Sequence, residues 1–248
     1  KSTHALLAKM EQQPYRDVEY FGEAAGLYAA YFFHQNTEKH TIEDRVLTQL
    51  MDSVDRAYIL SKMRLASEMK NRERILSKQY AMPLLNEALA IGAAGLLQDN
   101  VLFALYRLLL ALYETEETPE AFHMLKNRLF QQIGSLRPFD QSMLLTQLIN
   151  YAVRQLNQGN AGFNKEVFEL YQLALAHKLV LSNGKIEASV YQNIVSAGCK
   201  EKAFLWTEQF IQEYAPFLEA DIRQDCKTMA LAMICFHQSN YDQTIKLL

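Results

Sequence analysis

Four short constellations in this 248-residue chain carry residue types able to do chemistry. Glu120-Ala121-Phe122-His123 sets a carboxylate and an imidazole on one face of a helix, the spacing used by dinuclear metal sites in helical bundles. Such sites need the motif twice, and no other histidine here has Glu three residues before it. The pair therefore reads as a first-turn acid and a surface histidine. Cys226 and Cys235, nine residues apart, point to opposite sides of one helix, which defeats joint ligation.

Asn183-Gly184-Lys185 has the Gly-Lys step of a phosphate loop, but no glycine stands five residues before Gly184, and Ile186 replaces the required Ser or Thr. Gly159-Asn160-Ala161-Gly162 lacks the preceding strand that a dinucleotide loop needs. Both read as turns. Six scattered histidines and three cysteines in apolar contexts offer no local pairing of base and nucleophile. The expectation is a protein that is not an enzyme, with no catalytic residue, no metal ligand and no cofactor.

The elements that hold these residues are helices. Apolar residues recur at spacings of three and four, with little alternation of period two, and the composition is half hydrophobic with only nine Gly and five Pro. A helix over 15–34 is rich in aromatics (Tyr20, Phe21, Tyr28, Tyr31, Phe32, Phe33), whose spacing predicts core packing. Asn36 to Lys39 closes it, Thr41 caps the next helix, and Asp52-Ser53 breaks that one before a helix over 54–75. Thr118-Pro119-Glu120 is a helix start with a capping hydroxyl and a proline at the first helical position. Further boundaries fall at Arg137-Pro138, Gln158 to Gly162, Ser182-Asn183-Gly184 and Pro216. Helices of 12 to 20 residues result on rough count, and pairing them gives five helix-turn-helix units with first helices starting near 54, 99, 139, 186 and 219. A region over 1–50 acts as an N-terminal cap or worn repeat, and the array runs over 51–248.

A formal charge of −3 gives no positive field for a phosphate backbone. No nucleic-acid partner is expected. The longest apolar stretch, Val101 to Tyr113, contains Arg107 and is too short for a bilayer, so no membrane role is expected either. Cys199, Cys226 and Cys235 read as buried thiols of a reducing, cytoplasmic compartment. Between Arg56 and Lys78 the cations Arg56, Lys62, Arg64, Lys70, Arg72, Arg74 and Lys78 outnumber Asp55, Glu68 and Glu73. That stretch reads as a solvated face with pairs such as Glu68 to Arg72, rather than a seat for an acidic peptide.

Three segments set a bulky position ahead of a small residue in the following helix. Leu108-Leu109 precedes Ala121 and Leu125; Ile194-Val195 precedes Thr207 and Ile211; Leu231-Ala232 precedes Thr244 and Leu248. These resemble degenerate tetratricopeptide (TPR) repeats, and Thr207 to Thr244 is 37 residues, against about 34 for the family. The stretch from Asn183 through Tyr191 to Val195, with Trp206 to Ile211 and Tyr241-Asp242, is also similar to a group of bacterial TPR-like proteins, which brings a fold and no activity. Asp55 to Tyr58 and Asn71-Arg72 share that similarity. A weaker likeness of Val190 to Ala197 to pentatricopeptide repeats lacks the positive surface that RNA reading needs.

The resemblance implies an all-α fold, an α-solenoid of antiparallel helix pairs in a right-handed superhelix, whose first helices line a concave face. The groove residues it implies are Tyr106, Tyr113, Gln147, Asn150, Arg154, Gln192, Asn193, Ser196, Met229, Met233 and His237. The expected function is a non-catalytic protein- or peptide-binding scaffold. The alternative is a ligand-sensing regulatory module controlling an effector domain beyond Leu248. A last helix that stops on apolar Leu247-Leu248 suggests a piece of a longer protein.

Overall fold

The computed structural model describes residues 3–34, 45–76, 78–114 and 119–247, and among these residues every long element is an α-helix. They are α1 (Thr3–Glu11), α2 (Val18–His34), α3 (Arg45–Leu76), α4 (Leu85–Ile91), α5 (Val101–Glu114), α6 (Pro119–Gln132), α7 (Pro138–Asn157), α8 (Phe163–Ala176), α9 (Ala188–Lys200), α10 (Phe204–Tyr214), α11 (Arg223–His237) and α12 (Tyr241–Leu247). The only strand-like pairing among them joins Ser182 to Lys185 across the Asn183-Gly184 turn. The chain divides into unit 1 (Lys1–Leu144) and unit 2 (Leu145–Leu248), and the boundary falls inside α7.

In unit 1, α5 is a core helix. Leu102, Phe103, Leu105, Tyr106, Leu109, Leu110 and Leu112 are all buried, because α3 covers one side of it and α6 another. α3 presents Ile59, Leu60, Met63, Ala66 and Ser67 to α2 and α5. Asp52-Ser53 does not break this helix. The Ser53 hydroxyl donates to the Gln49 carbonyl at 2.7 Å, satisfying itself inside an unbroken helix of 32 residues. On α2, Tyr20, Phe21 and Tyr28 are buried, Tyr31 and Phe32 are half-buried, and Phe33 is exposed, so the aromatic run is only partly core. The helix starts at Val18 rather than Tyr15, because the Asp17 carboxylate accepts from the Tyr20 amide at 2.9 Å and caps it. The caps expected at Thr41 and Thr118, and the closure at Asn36 to Lys39, lie outside the described residues.

Unit 2 repeats one turn. Gly159, Lys202 and Ser239, just past the ends of α7, α9 and α11, have φ of 95°, 56° and 62°. In each case the next amide reaches back five residues: Asn160 to Gln155 O at 3.0 Å, Ala203 to Gly198 O at 2.9 Å, and Asn240 to Cys235 O at 2.9 Å. This left-handed closure satisfies carbonyls that a helix end leaves open. After it, α10 and α12 place Thr207 and Thr244 at the same position. Both are buried, and each hydroxyl donates at 2.9 Å to the carbonyl four residues earlier, Ala203 O and Asn240 O. The α7–α8 connection is two residues longer, absorbing the Gly159 to Gly162 segment.

Gly198 lies where α9 crosses α10. A Cβ there would collide with the Thr207 hydroxyl and stand 3.3 Å from the Trp206 ring. The small pair Gly198 and Thr207 thus sets the close approach of the two helices, and α9 also packs on α8 and α11. Of the cysteines, Cys199 is buried, whereas Cys226 and Cys235 are half-buried on α11. The buried residues of that helix are Ala230, Ala232 and Ile234.

Candidate functional site

Unit 1 holds a buried polar network built by four helices. Tyr106 on α5 is fully buried among apolar residues and needs a partner for its hydroxyl. It donates to Asp140 Oδ1 at 2.8 Å. Asp140, in the first turn of the helix begun by Pro138, also takes two hydrogen bonds from Arg64 of α3: Nε to Oδ1 at 3.1 Å and Nη2 to Oδ2 at 2.9 Å. The outer edge of the same guanidinium grips Glu19 of α2 at 2.8 and 3.1 Å, and its plane lies over Phe139 at 4.8 Å. The Asp140 side chain is 1% exposed and that of Arg64 12%.

The electrostatics follow from this geometry. Burial opposes the Arg64 charge, yet Glu19 and Asp140 hold its pKa above the usual guanidinium value. Burial raises the Tyr106 phenol, and the Asp140 charge adds to that. Burial also raises the Asp140 carboxyl against the pull of Arg64 and the Tyr106 hydroxyl. Glu19 differs, since its hydrogen bond from Arg64 holds it below the ordinary 4.5. A carboxyl depressed in the folded state stabilises above its unfolded pKa and loses that contribution as pH falls through the folded value. Thermal melts of the native chain and Glu19→Gln should differ most above the ordinary 4.5 and draw together as pH falls below it. A gap that stayed constant down to pH 3 would contradict this assignment.

Next to the network lies a cleft of about 560 Å³, lined by Pro14 to Asp17, Tyr20, Phe21, Arg56, Gly95 to Leu102, Ser135 to Arg137 and Asp140. Three arginines (Arg16, Arg56, Arg137) balance three aspartates (Asp17, Asp99, Asp140). Arg16 packs over the Tyr20 ring at 4.1 Å and donates to the carbonyls of Glu11 and Tyr15 at 3.0 and 2.9 Å. Arg137 pairs with Asp17 and reaches Gln13 Oε1 at 3.1 Å. Carboxylate oxygens of Asp17, Glu19 and Asp140 lie within 4.8 Å of one another, a spacing a cation could bridge. Arg64 and Arg137 already bring two positive charges to these oxygens, so the cluster suits an ion-pair network better than a metal.

Unit 2 has a smaller depression of about 190 Å³ among the end of α7, α8 and α9. Val153, Leu156, Val167 and Ala197 contribute apolar surface, and Asn157, Asn164, Asn193, Ser196 and Lys200 contribute polar groups. Tyr171 lines the depression beside Asn193, and burial raises its phenol above the ordinary value.

Of the groove residues implied by the sequence, only Asn193 and Ser196 meet in this depression. Gln192, one residue round the helix, turns to α11 and donates to the Cys226 carbonyl at 3.0 Å. Its Oε1 is buried without a hydrogen-bond partner among the described residues. Gln147 is buried, Asn150 and Arg154 are half-buried on α7, Met233 is half-buried, and Met229 and His237 are exposed on α11. Tyr106 and Tyr113 are buried in the core of unit 1, where Tyr106 serves the polar network and the Tyr113 carbonyl accepts from Arg74. Arg64 is thus a structural tie rather than a member of a solvated face, whereas Arg74 is exposed, as is Arg72, which pairs with Glu68 at 2.7 Å as expected. Glu120 and His123 are both exposed. Burial pushes the Cys199 thiol up to about 11, so it is protonated at neutral pH.

Sequence reasoning missed Arg64 and Asp140. One signal was present: Arg64 falls between Leu60, Met63 and Ser67 on the face that the apolar period assigns to the core, where a charge demands a partner. No family model, curated protein or solved structure matches the chain. No helix among the described residues is long and apolar enough to cross a membrane.

Proposed function

We propose that the chain is a TPR-like α-solenoid of antiparallel helix pairs, serving as a non-catalytic scaffold that binds an extended protein or peptide segment. The observation that carries this reading is the turn repeated at Gly159, Lys202 and Ser239, with a buried Thr at the same position in α10 and α12. A structural unit used repeatedly produces a surface with a repeated polar register, suited to a ligand that is itself periodic. The depression around Asn193 favours a peptide, because amide side chains both donate to and accept from a ligand backbone.

The test is selection of random peptides of about 12 residues on the whole chain, a length that matches helical-groove ligands. Enriched peptides should bind Asn193→Ala and Lys200→Ala at least about tenfold more weakly, the cost of a lost buried hydrogen bond or charge contact. Enrichment of nothing, or equal binding to both variants, would refute the scaffold reading.

The cleft in unit 1 favours a second reading, a ligand-sensing regulatory module. Its volume lies within the range of small-molecule sites, and its paired charges would recognise a zwitterionic compound. A rise in melting temperature with such compounds, abolished by Arg16→Ala, would support this over peptide binding.

A further inference from the structure

α3 carries two faces. Ile59, Leu60, Met63, Ala66 and Ser67 look into unit 1, while a second apolar row looks away from it. Leu47, Met51, Val54, Tyr58 and Leu65 are all exposed, Met51 at 63% and Leu65 at 59%, and half-buried Met69 continues the row. The steps of four, three, four and seven from Leu47 to Leu65 follow a heptad seam, Met69 stands one residue past its next position, and the 23 residues from Leu47 to Met69 rise about 33 Å. Single exposed apolar residues are ordinary, whereas a continuous row of this length marks an interaction surface.

We propose that this face pairs with the same face of a second copy, as an antiparallel two-helix seam with its dyad at Tyr58. The spacing is self-complementary. About Tyr58, Met51 of one copy stands opposite Leu65 of the other, Leu47 opposite Met69, and Val54 opposite Lys62, whose methylene stem can cover it. Charge selects the same arrangement. Asp55 follows Val54 by one residue and Lys62 follows Ser61, one heptad later, so both lie on one flank of the seam. Antiparallel pairing sets like flanks together, bringing Asp55 to Lys62 of the other copy twice. Parallel pairing would instead face them with the uncharged Leu50 and Ala57 of the opposite flank. Arg56 is not part of the flank, since it pairs with Asp52 on the same helix at 3.8 Å. The contact is isologous, as expected of a closed dimer. It does not depend on the peptide-binding reading, because Leu47, Met51, Val54, Tyr58, Lys62 and Leu65 line neither the cleft nor the unit 2 depression.

Sedimentation equilibrium of the whole chain up to about 200 µM tests self-association by mass action. A reversible dimer is expected, weakened more than about tenfold by Met51→Glu with Leu65→Glu, which brings glutamates face to face across the seam. Circular dichroism of that variant should stay helical, because both positions are exposed. Asp55→Lys and Lys62→Asp should each weaken the dimer about three- to tenfold, and the double exchange should restore it. With Cys226 and Cys235 replaced by Ser, a Met51→Cys chain should cross-link to a Leu65→Cys chain rather than to itself. A chain that stays monomeric, a dimer indifferent to the glutamates, or cross-linking of Met51→Cys to itself would overturn the proposal. A monomeric chain that captured an unrelated amphipathic helical peptide on this face would assign the seam to a partner instead.

Discussion

Asp140→Ala should lower the stability of unit 1 by about 3–5 kcal/mol, the cost of leaving a buried ion pair without one member. Asp140 accepts from two neighbours that have little access to water: the Tyr106 hydroxyl at 2.8 Å and the Arg64 guanidinium at 2.9 and 3.1 Å. Without it, the phenol loses its carboxylate partner and the guanidinium retains only Glu19, whose side chain is 47% exposed. The loss therefore combines three hydrogen bonds with the desolvation of two stranded donors. An apolar replacement of the whole network, Arg64→Met with Tyr106→Phe and Asp140→Leu, should cost less than Asp140→Ala alone, because no buried group is stranded. Urea denaturation followed by hydrogen exchange of the α5 and α7 amides measures both. A loss below about 1 kcal/mol for Asp140→Ala would mean that water replaces the carboxylate, and the network would then be no structural clamp.

Gly198→Ala should cost unit 2 about 2–3 kcal/mol through overpacking. The new methyl would meet the Thr207 hydroxyl, which cannot swing aside without giving up its hydrogen bond to Ala203 O, and the Trp206 ring stands close on the same side. Trp206 is itself held edge-on by Phe168 at 4.8 Å and stacked on Phe210 at 5.9 Å, so the adjustment spreads along an aromatic row. Thr207→Ala in the same chain removes the obstructing oxygen. The double variant should regain at least about half the lost stability, a coupling expected of residues in contact. Strictly additive losses would place the effect elsewhere than in the α9–α10 crossing.

Much of the helical layout was legible from local chemistry. Pro138 and Pro119 mark the starts of α7 and α6, and the Asn183-Gly184 turn lies where its left-handed residues require. Expected first helices near 99, 139, 186 and 219 begin at 101, 138, 188 and 223. These signals are short-ranged, since capping, ring closure of proline and tolerance of positive φ depend on a few neighbouring residues. The small residue at Thr207 was legible too, although its partner Gly198 was not, because spacing within one helix does not say which neighbour approaches it.

Asp52-Ser53 shows where local chemistry was overruled. Two residues that favour a helix end lie inside α3, where Ser53 is itself buried and the buried residues that follow it, as far as Asn71, hold the helix against α2 and α5. The polar network is the stronger case. Glu19, Arg64, Tyr106 and Asp140 come from four helices and are separated by tens of residues, and no periodicity links them. The sequence alone determined that the chain is helical and where most helices begin, since those outcomes follow from nearest-neighbour energetics. Tertiary structure decided which charges are buried, which turned Arg64 from a surface cation into a tie, and which face of α3 was left apolar and uncovered. Burial is a property of what packs opposite a residue, and that partner is named only once the chain has folded.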